Sequence, residues 1–389
     1  LHGHSFRYTD IHGFLSWDGK HWDREMAERS LNLQITSTLA RRRFVAGRAG
    51  LDEKSQNACK QTNARKNAVK GQIKDIIHVK ADVFDSQPYL LNAQNGVVDL
   101  RTGKLLAHGP SDYFTHVTHA EYDPNADVTP WLNFFSGVAD RYDLLKDWYQ
   151  MAMGYSITGS TQEEKLFYIL GPARSGKGTF TAVALATLGK PLSKGVTFDL
   201  FTMEQKSDPQ NFMLATLKGA RFIAASEGQK GRALREDLLK RVTGSDPFLA
   251  SHKHQDPFEM YLHAKIWLSS NFAPKGDVED DAFWGRIHVI NFPNSFLGNE
   301  DISLKERIAN DPAMQKAFLK WAIDGAVMWT KNGGLGVPAD IKANTQKHRD
   351  ALDNVGAWIE ECCIVGEGYR ATTKDLYASY SQWCDDTGA

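Results

Sequence analysis

Nothing constrains this chain more than the stretch Gly171-Pro172-Ala173-Arg174-Ser175-Gly176-Lys177-Gly178-Thr179. It follows Leu166-Phe167-Tyr168-Ile169-Leu170, a short apolar run that reads as a buried strand. It precedes Phe180 to Leu188, an Ala/Thr/Leu-rich run that reads as a helix. A strand, a glycine loop with G-x-x-x-x-G-K spacing and a helix together make the context of a P-loop. Gly171 and Gly176 let the backbone curl so that successive N–H groups point at phosphate oxygens. The start of the helix adds partial positive charge at the same place. Lys177 then brings a point charge to the β- and γ-phosphates. The stretch Gly171 to Thr179 is therefore expected to bind ATP. The competing reading, a chance Gly/Lys-rich turn, does not account for the strand and helix that flank it.

One position departs from the usual pattern. The residue after the lysine is ordinarily Ser or Thr, whose hydroxyl holds Mg²⁺; here it is Gly178, and Thr179 is the next hydroxyl. Nucleotide kinases of the adenylate kinase type also carry G-K-G-T. The loop thus specifies a nucleoside triphosphate without choosing between a motor and a kinase.

Length leaves room for more than this one unit. A chain of 389 residues can hold two or three domains and a sizeable core. At 42% hydrophobic and 24% charged it has the composition of a soluble globular protein, and no apolar run approaches the ~20 residues that span a bilayer. Cys59, Cys362, Cys363 and Cys384 make neither a metal-ligand spacing nor a disulfide framework, which points to a reducing, cytoplasmic setting. The formal net charge of −1 gives no overall footprint for nucleic acid, so any such surface is local. The chain starts at Leu1 without a signal-peptide core and reads as part of something longer.

In chain order, Phe14 to Trp22 reads as a hairpin turning at Asp18-Gly19. Arg24 to Ile77 reads as helices. Their basic runs, Arg41-Arg42-Arg43 and Lys60 to Lys74, are expected to be a solvated face rather than a DNA contact. Tyr89 to Leu106 holds short strands broken by turn residues. Asp123 to Asp127 is a candidate boundary, dividing an N-terminal region (1–125) from a P-loop domain (126–331). Trp131 to Tyr155 reads as helical. Lys190 to Phe201 reads as a loop with room for one short strand. Ala220 to Glu227 is an apolar strand ending in an acid, and Ala264 to Ser270 is a strand ending in Asn271. Arg286 to Phe292 is a last strand, and Ser303 to Lys331 is helical. Asn332 to Pro338 reads as a linker to a separate helical tail (339–389).

A P-loop ATPase needs an acid near the γ-phosphate to order Mg²⁺ and polarise the attacking water. That acid belongs at the end of a strand next to the P-loop strand, and Glu227 is placed that way. The residue before it is Ser226 where an acid is usual, so Glu227 carries most of the work, Thr179 is the other candidate metal group, and the Mg²⁺ shell is water-rich. Alternatively, Glu227 is an ordinary strand-end carboxylate. Asn271 suits hydrogen bonding to the attacking water or the γ-phosphate, and also suits a strand-to-turn junction. Arg286 is a candidate for stabilising charge on the transferring phosphoryl group. Lys253 and His254, in a turn between β runs, are placed either to grip DNA phosphates or as a solvated tip.

Taken in order, these pieces resemble superfamily 3 helicases of the phage and plasmid primase-helicase family. The resemblance rests on the P-loop, on Ala224-Ala225-Ser226-Glu227, on Lys240-Arg241-Val242-Thr243-Gly244-Ser245-Asp246 and on Ser269-Ser270-Asn271. Lys253 and His254 match the position of the family's DNA-tracking hairpin, and Arg286 matches its arginine finger. Asn95 to Gly103 resembles the domain that precedes the motor, and Asp375 to Cys384 a winged-helix-like segment. The resemblance covers most of the chain from about Phe84 onward. It implies an α/β fold with an AAA+-like core, assembled as a hexameric ring that translocates 3′ to 5′ on single-stranded DNA and unwinds replication forks. ATP and Mg²⁺ would lie between subunits, with Lys177 and Glu227 from one and Arg286 from the next. A primase domain upstream of Leu1, or a primase partner, is compatible with it. Two rival readings stay open: a nucleotide kinase, motivated by G-K-G-T, and a non-hydrolysing DNA-binding initiator, motivated by Gly178 and Ser226. DNA-stimulated phosphate release separates the three.

Overall fold

The structure is a computed structural model describing residues 4–202, 209–226, 232–244, 246–251, 258–299 and 301–387. It opens with a three-stranded antiparallel sheet of β1 (Phe6–Thr9), β2 (Gly13–Trp17) and β3 (Trp22–Asp23). The expected hairpin is present. Trp17 pairs with Trp22, and Asp18 Oδ1 accepts the N–H groups of Lys20 and His21 at 2.8 and 2.7 Å, which fixes the turn. Helices α1 (Ala27–Arg48), α2 (Glu53–Asn57) and α3 (Asn63–Ile77) follow. α1 buries Ala27, Leu31, Ile35 and Leu39, a four-residue repeat along one stripe, against Phe6, Phe14 and Ile77. Arg41, Arg42 and Arg43 are exposed at its far end.

A second antiparallel sheet, β4 (Leu90–Ala93), β5 (Gly96–Asp99) and β6 (Lys104–Leu106), comes next. The expected boundary near 125 is not a boundary of packing. Three short strands bury too little on their own, and here Leu91, Val98 and Leu100 share one core with Trp131, Phe135 and Phe180. Arg221 Nη2 also donates to Gln87 O at 3.0 Å, and the Gly159 N–H to Pro88 O at 2.7 Å. The break in packing falls earlier, since β1, β2, α1 and α3 hold a cluster of their own.

The central layer begins with α4 (Thr129–Val138) and α5 (Tyr142–Ile157), separated where Arg141 turns left-handed at φ 46°. Then come β7 (Leu166–Leu170), α6 (Lys177–Leu188), β8 (Ser193–Thr197), α7 (Pro209–Ala215), β9 (Phe222–Ser226) and α8 (Glu236–Thr243). An antiparallel pair, β10 (Phe248–Ala250) and β11 (Phe258–Met260), precedes β12 (Lys265–Ser270), α9 (Asp281–Trp284) and β13 (Ile287–Asn291). The helices α10 (Leu304–Asn310) and α11 (Pro312–Asn332) close the layer.

Five of these strands form a parallel sheet in the order β13-β7-β12-β9-β8. Side chains alternate across it. Phe167 and Ile169 pack with Trp131, Phe180 and Trp321 on one face, while Leu166 and Tyr168 pack with Leu238, Phe283 and Val289 on the other. The sheet is therefore covered on both sides, as a parallel sheet requires. Lys190 to Phe201, expected as a loop with room for one short strand, holds that strand as the edge strand β8, whose Ser-Lys-Gly-Val-Thr sequence carries almost no apolar signal. One expectation changes here: the strand leading to Glu227 does not lie next to the P-loop strand. β12 intervenes between β9 and β7, with every residue buried.

The expected linker at 332–338 is pinned to the body. Leu335 is buried and its N–H donates to Glu163 Oε1 at 2.8 Å, while Trp148 Nε1 donates to Gly336 O at 3.1 Å. α12 (Ala339–Asp350) then lies along the open edge of β13. The Val289 N–H donates to Thr345 Oγ1 at 3.1 Å and Asn344 Nδ2 donates to Val289 O at 2.8 Å, so side chains satisfy an edge strand's backbone. In packing terms the tail therefore starts after α12. It consists of α13 (Asn354–Cys362) and α14 (Thr373–Thr387), joined by Trp358 Nε1 donating to Ser379 Oγ at 3.1 Å. Among the described residues this segment, expected to be winged-helix-like, is a helix pair without a strand.

Candidate nucleotide site

In an open parallel sheet the crevice beyond the carboxyl ends of the strands is where ligands settle. β7 and β12 end there side by side, and the loop Gly171 to Thr179 leaves β7 into α6. The first glycine is required by its neighbour, since a Cβ on Gly171 would lie 2.2 Å from Phe292 O. The second has φ +88°, and a Cβ on it would lie 2.7 Å from Val138 Cγ1. The loop is braced from outside. The Phe296 N–H donates to Arg174 O at 3.1 Å and Ser295 Oγ to Ala173 O at 2.9 Å. Among the described residues, the backbone N–H groups of 175–178 have no backbone acceptor. These are the donors an anion would use.

Beside the loop opens a cleft of about 800 Å³, walled by the loop, by Phe134 of α4, by Ser226 and Asn271 at two strand ends, and by Lys305 of α10. Lys177 is half-buried in it. Its Nζ donates to Gly171 O and Pro172 O, both at 2.7 Å, to Ser175 Oγ at 3.0 Å and to Asn271 Oδ1 at 2.9 Å. Burial holds the Lys177 ammonium at a pKa of about 8. Thr179 is buried at the base of the loop and also lines the cleft.

Of the sequence-predicted residues, Gly171 to Thr179 and Asn271 come together here. Glu227, Lys253 and His254 lie outside the described residues. Ser226, which precedes Glu227, ends β9 on the wall of the cleft, and β10 and β11 bracket the segment holding Lys253 and His254. Arg286 is elsewhere. It precedes β13, whose first residue pairs with Leu166 at the start of β7, so it stands at the opposite edge of the sheet from the loop. Its Nη2 bonds Glu164 Oε2 at 2.8 Å and its Nη1 donates to Ala282 O at 3.0 Å. Lys240 of the Lys-x-x-Thr-Gly motif pairs with Asp280 at 2.5 Å.

The sequence reading missed three contributors to the cleft: Phe134, the brace at Ser295 and Phe296, and Lys305. The available signal for Lys305 was Gly178, because a missing hydroxyl leaves space for another group to fill. As a metal site, the described residues offer little. They contain no cluster of three or more His, Cys, Asp or Glu. The one described carboxylate lining the cleft, Asp301, is taken by Arg307 at 2.7 Å and by Ser303 Oγ at 2.6 Å.

Comparisons with known proteins find similarity to proteins named as helicases. Residues 1–138 match the family described as D5 N terminal like, and residues 169–286 match a family of unknown function (DUF5906). The chain is 24% identical over 326 residues to "Putative helicase L207/L206" of Acanthamoeba polyphaga mimivirus, covering 77% of this chain and 33% of that protein. It is 24% identical over 274 residues to "Putative helicase 184R" of Invertebrate iridescent virus 6, covering 67% of this chain and 28% of that protein. The chain thus spans about a third of the length of the curated relatives it matches. Among solved structures, the apo C-terminal region of NrS-1 aligns with TM-score 0.44 and 15% identity over 76% of this chain and 69% of that one. Among the described residues no helix is long and apolar enough to cross a membrane.

Proposed function

We propose that this chain is the ATP-hydrolysing motor segment of a DNA helicase of phage or plasmid replication, of the superfamily 3 primase-helicase type. The observation that carries the reading is the Lys177–Asn271 hydrogen bond, 2.9 Å long, beside a glycine loop whose N–H groups at 175–178 have no backbone acceptor among the described residues. A lysine placed to read phosphate and an asparagine placed to read the attacking water are hydrogen-bonded to each other, so a γ-phosphate entering between them would be sensed by both. The names of the viral relatives support the helicase part.

Arg286, at the far edge of the sheet, would act on the nucleotide of a neighbouring subunit, with Lys177 and Glu227 supplied by the subunit that binds it. Lys253 and His254 would contact the DNA strand. Mg²⁺ would arrive on the nucleotide, because the described donors do not form a cage for it; Thr179 and Glu227 remain the candidates to meet it.

The test is phosphate release by the full chain with and without single-stranded DNA, alongside duplex unwinding and light scattering on a sizing column. The reading expects DNA-stimulated turnover from a particle near six subunits, lost in Lys177→Ala. A mixture of Arg286→Ala and Glu227→Gln chains should recover part of the activity. Wild-type turnover in Lys177→Ala overturns the site. Phosphoryl transfer to a nucleoside monophosphate that ignores DNA would favour the kinase.

A further inference from the structure

We propose that Lys305 is a second phosphate-binding cation of the cleft, standing where a P-loop of the usual pattern places its metal-holding hydroxyl. The proposal rests on reading residues 171–179 as a triphosphate cradle. A Cβ built on Gly178 would lie 3.7 Å from Lys305 Nζ and 4.0 Å from its Cε. An ammonium from another element thus stands within contact distance of the point where a Ser or Thr side chain would begin. Two features of the segment show that the helix carrying this ammonium is held in place and that its charge is uncommitted. First, α10 is anchored: Ile308 is buried in the main core, Leu304 packs against it, and Asp301 fixes the start of the helix through Ser303 and Arg307. Second, Lys305 has no ion-pair or hydrogen-bond partner among the described residues, although Arg307, two positions on, has both. It stands where the main cleft meets a second space of about 370 Å³ running along α6 past Thr181 to Thr197.

The charge balance points the same way. A nucleoside triphosphate brings several negative charges into a cleft whose one described carboxylate is already neutralised by Arg307. Lys177 alone, a single positive charge, leaves much of that charge unmatched. A compact ammonium on a flexible stem adapts to a phosphate whose position changes between ATP and ADP. The φ of Gly178 is outside the left-handed region, so a Ser would fit there in ordinary contact with Lys305.

The test is equilibrium binding of ATP, ADP and AMP to the full chain, each with Mg²⁺ and with EDTA, for the wild type, Lys305→Ala, Lys177→Ala and the double variant Gly178→Ser/Lys305→Ala. Lys305 is exposed, so its truncation leaves the fold intact. We expect Lys305→Ala to weaken ATP by about tenfold and AMP by less than twofold. The double variant should recover ATP binding with Mg²⁺ and not in EDTA, because the hydroxyl works only through a metal. ATP affinity unchanged in Lys305→Ala while Lys177→Ala loses it overturns the role of Lys305 and leaves the cradle standing. ATP affinity unchanged in both variants overturns the cradle and this proposal with it. A double variant that recovers nothing in Mg²⁺ overturns the exchange of ammonium for hydroxyl.

Discussion

Lys265 and Lys177 stand beyond opposite ends of the strands of one sheet, connected through β12, and their surroundings differ in kind. Lys265 begins that strand and is wholly buried. Its Nζ donates to Thr158 O at 2.6 Å, Ser160 O at 3.0 Å and His263 O at 3.1 Å, so each of its protons has a carbonyl. Arg221 beside it donates to Ile157 O at 3.2 Å. The two cations close the carboxyl end of α5, where helix carbonyls lack partners and the helix dipole is negative. Burial, and then the charge of Arg221, push the Lys265 pKa well below its ordinary value. Asn271 follows the other end of β12 and holds Lys177. There the lysine shares its three protons among four acceptors, all from its own loop or the next strand end, in an open cleft beside unclaimed N–H groups. A buried cation with permanent partners holds the fold together. A half-buried cation with partners that an anion can outcompete marks a site.

The sharpest way to break that contrast is to truncate both lysines. Lys177→Ala should lower ATP turnover on the order of 10³-fold and leave the urea midpoint unchanged. Lys265→Ala should cost about 3 kcal/mol of stability by stranding buried carbonyls, seen as a lower urea midpoint. If Lys177→Ala instead unfolds the chain, or Lys265→Ala leaves it as stable as before, the distinction between the two ends fails.

Smaller effects sharpen it. Asn271→Ala should reduce turnover by about tenfold with ATP affinity nearly kept, since Lys177 retains its loop acceptors. The pH dependence of binding should also carry the signature of Lys177. Its pKa of about 8 without nucleotide rises when an anion arrives, so binding takes up a proton above pH 8. ATP affinity should hold from pH 7 to 8 and then fall, by at most about tenfold per unit, and Lys177→Met should abolish the slope. A flat profile to pH 9 in the wild type would place the proton elsewhere.

The smallest effect concerns the body of the sheet. Burial, and then the charge of Lys165, lower the His288 pKa from 6.5 to about 3. The ring packs against Trp148 and Phe167. Between those values the unfolded chain binds a proton that the folded chain refuses. The stability contributed is therefore complete above pH 6.5 and is lost as the pH falls toward 3. Urea midpoints at pH 7 and 4.5 should differ more in the wild type than in His288→Phe, and an equal difference would remove His288 from the account.

Local chemistry was legible in the sequence wherever one short stretch decides it. The strand–loop–helix unit at 166–188, the Asp18-Gly19 turn and the helices at 27–77 each follow from spacing and turn residues close in the chain. β8 was obscured because an edge strand is specified by the backbone of its neighbour rather than by its own apolar residues. The boundary near 125 and the linker at 332–338 were read from composition, but packing ignores composition when Leu91 and Leu335 find apolar partners or acceptors far away in sequence.

What the sequence by itself determined was the glycine loop between strand and helix, the order of the strands along the chain and the identity of the polar residues that end them. A local pattern is enough for each of these. Only the tertiary structure decided which strand lies beside the loop, that Asn271 rather than Ser226 reaches Lys177, that Arg286 faces away from it, and that Lys305 comes near Gly178. Those facts depend on strand order in the sheet and on how α10 packs against α6, which sets Lys305 beside Gly178 in ordinary contact. Both are set by burial summed over the whole core, to which no single stretch of sequence contributes enough to decide them.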